Sequence, residues 1–260
     1  MAYTFISGAT GGIGKAFTIA CAQKGYDLFL TGRSERKLDA LKNELNGYNV
    51  SIECFACDLT DQSSRDNMIS FIDQKGIEFD RIVNVAGVDT QKAFMDYTQE
   101  KVLFQMRVNV EATISLTHAL LNRKAEKTEV ITISSMSGAS PMPYFALYSA
   151  TKALLNNFFT SLHYELKKDG VKVTVVMPGG VPTRADIIED IKGQGLWGKL
   201  SSKPASFVAE RSLKAVKKNK IKYIPGAFNK FLNFIMKLVP KRIVLSFIAN
   251  RWKKQTKDAI

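Results

Sequence analysis

Short apolar runs alternate along the chain with longer stretches whose apolar positions recur every three or four residues. The runs Tyr3–Ser7, Asp27–Thr31, Val50–Cys57, Arg81–Val85, Val130–Ser134, Val171–Met177 and Ile221–Ile224 read as strands. Between them the spacing predicts helices over Lys15–Lys24, closed by Gly25, and from a Ser34 cap to near Gly47. Further helices run from an Asp61 cap to Gly76, over Thr98–Lys124, over Leu147–Asp169 with Gly170 beyond it, and over Pro204–Lys218. Strands spaced by helices of about ten to twenty residues predict an α/β fold: a doubly wound parallel sheet of about seven strands with helices on both faces.

After Ile224 the pattern changes. Phe228–Val239 and Ile243–Lys254 read as amphipathic helices with wide apolar faces, Asn229, Lys230, Asn233 and Lys237 sharing one side of the first and Arg242, Ser246 and Asn250 one side of the second. Lys237, Pro240, Lys241 and Arg242 interrupt the run well short of the ~20 residues a membrane span needs. The expected organisation is one dinucleotide-binding and catalytic domain over residues 1–225, extended over residues 226–260 by basic amphipathic helices.

Charge sharpens that division. The chain has 260 residues and a formal net charge of +13, and sixteen of its 37 Lys and Arg lie between Lys199 and Asp258 against Glu210 and Asp258 alone. The rest of the chain is close to neutral, so an anionic surface is expected to meet the tail rather than the whole molecule. The tail's aromatic residues belong to its apolar faces and do not interleave with the cations as stacking platforms, which argues against nucleic acid. No signal peptide is expected from the strand-like run at Met1–Ile6, and Cys21, Cys54 and Cys57 are not expected to make a disulfide framework. Cys54 and Cys57 stand three apart on a predicted strand and point to opposite faces. A reducing cytoplasm, peripheral to a membrane if the tail binds one, is the expected location.

Candidate chemistry begins at Gly8-Ala-Thr-Gly-Gly-Ile-Gly14, which follows a strand and opens a helix. Glycines there let the backbone approach a pyrophosphate, which sits on the free N–H groups of the helix start. Ser7 and Thr10 can add hydroxyl bonds. At the end of the second strand the chain reads Leu30-Thr-Gly-Arg33, with no acid to hold ribose hydroxyls. Arg33, with Arg36 and Lys37 behind it and Lys15 beside the glycine turn, favours a 2′-phosphate and so NADP(H) over NAD(H). Further on, Tyr148 and Lys152 stand four apart on a predicted helix, where a cation lowers a phenol's pKa. Ser135 lies at the carboxyl end of a strand, thirteen residues before Tyr148, with Ser134 as its rival. His118 and His163 lie on helices without partners of metal-ligand spacing and read as structural.

Together these residues resemble the classical short-chain dehydrogenases/reductases over about residues 3 to 225, which implies a Rossmann fold. Ser7 replaces the threonine that usually precedes that family's glycine turn, and Gly8, Thr10, Gly12, Ile13 and Gly14 follow its pattern. Asp58, followed by Leu59, matches the acid that contacts adenine. Asn84-Val-Ala-Gly87 is similar to the family's Asn-Asn-Ala-Gly, with Val85 in place of the second asparagine, so Asn84, Ala86 and Gly87 are cofactor candidates. Pro178-Gly179-Gly-Val181-Pro-Thr183 matches the loop whose threonine holds the nicotinamide carboxamide. Asn109, Ser135, Tyr148 and Lys152 match the catalytic tetrad. The resemblance implies hydride transfer between a nicotinamide and a carbonyl or secondary alcohol. Ser135 would bind the substrate oxygen, Tyr148 pass the proton, Lys152 depress the tyrosine pKa and hold the ribose, and Asn109 hold a water of the proton relay. No metal is expected, and a homo-oligomer, dimer or tetramer, is.

Met136, Met142, Tyr144, Phe145, Ile187, Ile188, Leu196 and Trp197 are the candidate pocket residues, mostly apolar. They point to a lipophilic substrate such as a steroid or fatty ketone or aldehyde. Arg184 is the one cation placed to meet an anionic group. Small hydroxy acids or 3-oxoacyl thioesters are the alternative substrates, and a non-catalytic nucleotide-sensing scaffold is the alternative class.

Overall fold

The computed structural model describes residues 2–253; Met1 and residues 254–260, which include the last residue of the predicted helix Ile243–Lys254, lie outside the described residues. Seven strands form one sheet: β1 (Ala2–Ser7), β2 (Leu28–Gly32), β3 (Ile52–Ala56), β4 (Glu78–Asn84), β5 (Lys124–Ile133), β6 (Val171–Val176) and β7 (Lys222–Tyr223). All pair in parallel in the order β3-β2-β1-β4-β5-β6-β7. The winding reverses between β1 and β4, which leaves a crevice at the carboxyl ends of the strands.

The central strands are apolar on both faces because helices cover both. On one face Ile6, Leu30, Val83 and Ile131 pack against α1 (Gly12–Ala22), α2 (Glu35–Glu44) and α9 (Ala205–Lys217) through Phe17, Leu38 and Leu213. On the other, Phe5, Phe29, Ile82 and Val175 meet α3 (Gln62–Gln74), α5 (Ala112–Leu121) and α6 (Ala146–Glu165) through Met68, Leu116 and Phe159. Phe5, Phe29 and Phe79, from three neighbouring strands, form a triangle with 5.9 Å between ring centroids. Each such burial stabilises the fold by about 1.5–3 kcal/mol. Ser34 and Asp61 cap α2 and α3 as the sequence predicts.

The long helix predicted over Thr98–Lys124 is not continuous. It divides into α4 (Gln99–Met106), a π-helical turn over Arg107–Glu111, and α5. Lys124 belongs to β5, which begins six residues before the predicted Val130 and pairs there with Phe79 of β4. The Arg123 guanidinium stops the helix by donating to the Ala119 carbonyl at 2.7 Å while gripping Asp73. The sequence reading also misses α7 (Ala185–Gly193) and α8 (Gly195–Ser201). The three cysteines are free, and burial pushes the Cys21 thiol up to about 12. His118 is exposed, while His163 is buried with Nδ1 at 2.8 Å from the Val173 carbonyl.

Beyond β7 come α10 (Ala227–Leu238) and α11 (Lys241–Trp252), an arm bent at Pro240. None of the described helices is long and apolar enough to cross a membrane. Asn229 does not share a solvent face with Lys230 and Lys237. It is 1% exposed, and its Nδ2 donates to the carbonyls of Ser201 at 2.8 Å and Pro225 at 2.9 Å. A polar side chain here is an anchor, because it supplies donors for two carbonyls that burial would otherwise orphan. Phe231, Phe234 and Phe247 are 57–61% exposed, whereas Trp252 turns inward.

Asn229→Ala is expected to cost about 1–3 kcal/mol by leaving those carbonyls unmet. Limited proteolysis should then cut within α10 and α11 first, and an unchanged cleavage pattern would remove Asn229 from its anchoring role.

Candidate active site

The crevice between β1 and β4 opens into a cavity of about 320 Å³, floored by the turn Gly8–Gly14 and walled by Arg33, Asp58, Leu59, Ala86 and Gly87. Gly8 has φ +63°, and a Cβ on it would crowd Ala86 of the β4 end at 3.0 Å. A Cβ on Gly14 would overlap the Gly8 carbonyl, and one on Gly12 would overlap the Thr183 side chain. Backbone and loop therefore close around a slender space at the start of α1, whose first turn holds no acidic residue. Free N–H groups and the helix dipole suit a phosphate there, so these residues fit a dinucleotide.

Not every predicted cofactor residue faces that space. Ser7 is buried, and its Oγ accepts the amides of Val85 at 3.1 Å and Ala86 at 3.2 Å, which ties β1 to the end of β4 beneath the cleft. Asn84 is buried too, donating to Thr117 and Thr132 hydroxyls at 2.9 and 3.2 Å. Both shape the cleft floor instead of lining it. Lys15 is drawn away from the glycine turn by Glu44, 2.6 Å from its ammonium. Arg36 and Lys37 are exposed on α2, and Arg33 alone of the four cations borders the cavity. Asp58 accepts from the Thr60 amide at 2.9 Å and hydroxyl at 2.8 Å, and these bonds, the amide's foremost, hold its carboxyl below the usual range with Arg33 adding to them.

A second cavity of about 340 Å³ adjoins the first and brings together Ser135, Tyr148, Lys152, Pro178, Gly179, Val181 and Thr183. The two serines separate clearly. Ser134 is buried and spends its hydroxyl on the Lys152 carbonyl at 2.9 Å, while Ser135 lines the cavity with Tyr148, its hydroxyl accepting from the Ser137 amide at 3.0 Å. Lys152 is 4% exposed, and its ammonium donates to the Ile133 carbonyl at 3.0 Å and lies over the Tyr148 ring, 5.6 Å from its centroid. Burial holds that ammonium down at about 8, against the pull of Asp89. The phenol moves the other way from the expected lowering: burial first and then the Asp89 carboxylate push it up, opposed by Ser135 and Arg184. Lys152 does not bring it down in this arrangement.

Asn109 sits in the π-helical turn, fully buried. Its amide accepts from the Val88 N–H at 2.8 Å and donates to the Val88 carbonyl at 2.9 Å and Thr151 at 3.1 Å. It clamps the β4 loop to α6, and a Cβ on Gly87 would sit 3.2 Å from the Lys152 ammonium and 3.3 Å from Asn109 Oδ1. Two further residues, Trp252 and Asp89, stand out only in three dimensions. Phe145 stacks on Tyr148 at 4.5 Å, and Trp252 of α11 lies 6.3 Å beyond Phe145. Asp89 faces Arg184 across the cavity mouth at 3.3 Å, and Arg184 is also held by Asp186 at 3.1 Å. Among the predicted pocket residues, Met136, Phe145 and Ile187 line this cavity, and Met142 and Trp197 line the groove beside it. Tyr144, Ile188 and Leu196 line neither; Tyr144 takes φ +63° in the turn before α6, and Leu196 is 73% exposed. Gly179 presses on the arm's base, since a Cβ there would lie 2.6 Å from the Ser201 carbonyl and 2.8 Å from Asn229.

Comparison with known proteins shows the family to which this fold belongs. A family model described as short chain dehydrogenase matches residues 2–190. An uncharacterized oxidoreductase of Staphylococcus epidermidis is 32% identical over 180 residues, 68% of this chain and 77% of that protein. A sulfoacetaldehyde reductase of Chromohalobacter salexigens is 31% identical, covering 71% and 74%. Among solved structures, a 7beta-hydroxysteroid dehydrogenase superposes with a TM-score of 0.85 over 95% of this chain and 96% of that one, at 23% identity, a likeness of fold.

A lysine depressed by burial binds its proton more weakly folded than unfolded, so its stability penalty is full below about 8 and fades as pH climbs to the ordinary lysine value of 10.5. Lys152→Met is therefore expected to be more stable than the parent at pH 7, by up to ~3 kcal/mol. Thermal melts of both proteins from pH 7 to 10.5 should show that gap closing; a gap independent of pH would place the lysine pKa outside this window.

Proposed function

The chain belongs to the short-chain dehydrogenase family and is an oxidoreductase of alcohol and carbonyl groups, and from that premise we propose an NADP(H)-dependent enzyme acting on a lipophilic carbonyl or secondary alcohol, a steroid or a fatty ketone or aldehyde. The observation that carries this reading is the meeting of Ser135, Tyr148 and Lys152 in one cavity beside Met136, Phe145 and Ile187, with Arg184 at its mouth held by Asp89 and Asp186. A small hydroxy acid or other anion would need Arg184 free, and two carboxylates hold it. In the resting arrangement the raised phenol stays protonated at neutral pH, the state that can donate to a carbonyl oxygen. Ser135 holds that oxygen and supports charge developing on it. A bound nicotinamide supplies or accepts the hydride at the carbon. Lys152 holds the ribose, and Asn109 fixes the loop and helix between which the proton relay runs.

Tyr148→Phe keeps the stacking on Phe145 and removes only the hydroxyl. It is expected to lower turnover of a ketone and aldehyde panel, followed by NADPH oxidation, to below a few per cent while NADPH binding survives. Substantial residual turnover would reject Tyr148 as proton donor, and a parent inactive on every carbonyl that still binds NADPH would favour a nucleotide-sensing scaffold.

The preference for NADP(H) rests on Arg33, whose guanidinium borders the cleft where no acid ends β2. Arg33→Asp should weaken NADPH and improve NADH in kcat/KM. Equal use of both cofactors by the parent would overturn the preference.

The arm adds a surface to this reading. Phe231, Phe234 and Leu238 form an exposed apolar stripe on α10, and Ile243 and Phe247 extend it on α11. Lys230, Lys237, Lys241 and Arg242 are exposed among them, and residues 226–253 contain no acid. A two-fold contact through this face would set cation against cation, whereas an anionic bilayer surface complements both features. The full-length protein is expected to float with acidic vesicles and not with neutral ones, less so at high salt, and to lose binding in Phe231→Ser with Phe234→Ser. Flotation that ignores lipid charge, or survives the double substitution, would reject this face.

A further inference from the structure

The arm encloses more than the catalytic cavity needs. Between α10, α11 and the segment after β5 lies a groove of about 340 Å³, within the range of small-molecule sites. Its walls on α10 are Leu232, Ile235, Met236 and Val239, at positions that bring them to one helix face. Val244 and Phe247 of α11 stand opposite. Trp197 of α8 closes one end, edge-on to Phe228 at 5.1 Å, with the Arg251 guanidinium 5.9 Å from its ring. That cation therefore faces an aromatic surface, and the walls named offer a ligand hydrocarbon and thioether.

This groove adjoins the catalytic cavity: Met136, Ser137, Gln194 and Trp252 line both. We propose that the groove is the binding site for the hydrocarbon chain of the substrate, whose carbonyl lies at Ser135 and Tyr148 while its tail bends past Trp252 and runs between α10 and α11. Two physical points choose a flexible acyl chain. Methionines line the path at Met136, Met142 and Met236, and thioether side chains adapt to a chain of varying bend. The groove's outer edge, at Ile243 and Phe247, is part of the exposed apolar stripe, so a chain can enter from that side. The proposal rests on the carbonyl-oxidoreductase reading above and narrows its substrate to long-chain compounds.

The test uses full-length protein without lipid. Straight-chain aldehydes of four to sixteen carbons are reduced with NADPH, and binding of the fluorescent fatty acid cis-parinaric acid is measured separately, with no turnover involved. For the parent, kcat/KM should rise with chain length by as much as about fourfold per methylene until the groove is filled. Parinaric acid should bind and be displaced by long aldehydes only. Met236→Trp and Val244→Trp, which fill the groove at positions outside the lining of the catalytic cavity, should flatten the chain-length dependence and abolish parinaric acid binding, with rates on the four-carbon aldehyde and NADPH affinity retained. If neither variant folds, the slope and the displacement measured on the parent decide alone. A flat profile in the parent, or parinaric acid bound equally well by folded variants, overturns the proposal while leaving the oxidoreductase reading intact. A groove that takes no probe because it is filled by a second copy, seen as a dimer that Met236→Trp dissociates, overturns it too. Parinaric acid binding that the variants abolish, in a protein that reduces no carbonyl, would retain the chain site and overturn the enzymatic reading.

Discussion

The Lys152 ammonium lies almost wholly out of water and donates to the Ile133 carbonyl where β5 stops, and the cost of keeping a cation there shapes the chain around it. The first turns of α6 must approach the strand end closely enough for that bond, and several residues exist in their present form because of it. Gly138 has no Cβ because one would lie 2.6 Å from the Lys152 backbone. Ser134 gives its hydroxyl to the Lys152 carbonyl, and Asn156 donates to the Gly138 carbonyl at 3.0 Å. With α6 seated in this way, Tyr148 is carried to the cavity wall one turn earlier, within reach of Ser135. The placement of the proposed proton donor is thus a consequence of how a neighbouring charge is buried.

Much of this was legible in the sequence. The strands, the capped helices and the glycine turn follow from periodicity and from residues whose conformational preferences are local, and Ser135, Tyr148 and Lys152 do meet in one cavity. Three features escaped because their causes are not local. The π-helical turn at Asn109 interrupts a helix whose apolar spacing is unbroken, and the clamp onto Val88 and Thr151 that it serves is made by distant segments. Ser7 and Asn84 carry the right residue type for a nucleotide site but spend their hydrogen bonds on the strands beneath it. Asn229 has the sequence signature of a solvent face and is buried, since helical periodicity tells which residues share a side and not which side meets protein.

Electrostatics and shape divide the work between the halves of the site. On the nucleotide side, a helix start free of acids, Arg33 and Asp58 give a polar cradle. On the substrate side Arg184 is held between Asp89 and Asp186 at the mouth, and Met136, Phe145 and Ile187 supply apolar wall. The Phe145 ring joins the two, with the phenol on one side and the arm's Trp252 on the other.

The contact of Gly179 with Ser201 and Asn229 reaches beyond packing. The loop from Pro178 to Thr183 walls the cavity, and at Gly179 it rests against the residue that roots α10, without room for a single added carbon. Loop and arm therefore share one boundary, and a displacement of either is felt by the other. Thermodynamic reciprocity then binds their ligands together: if occupancy of the arm changes nucleotide affinity by some factor, nucleotide changes the arm's affinity by that same factor. The order in which two ligands arrive at this molecule is in consequence not fixed by this coupling, which is the same by either route.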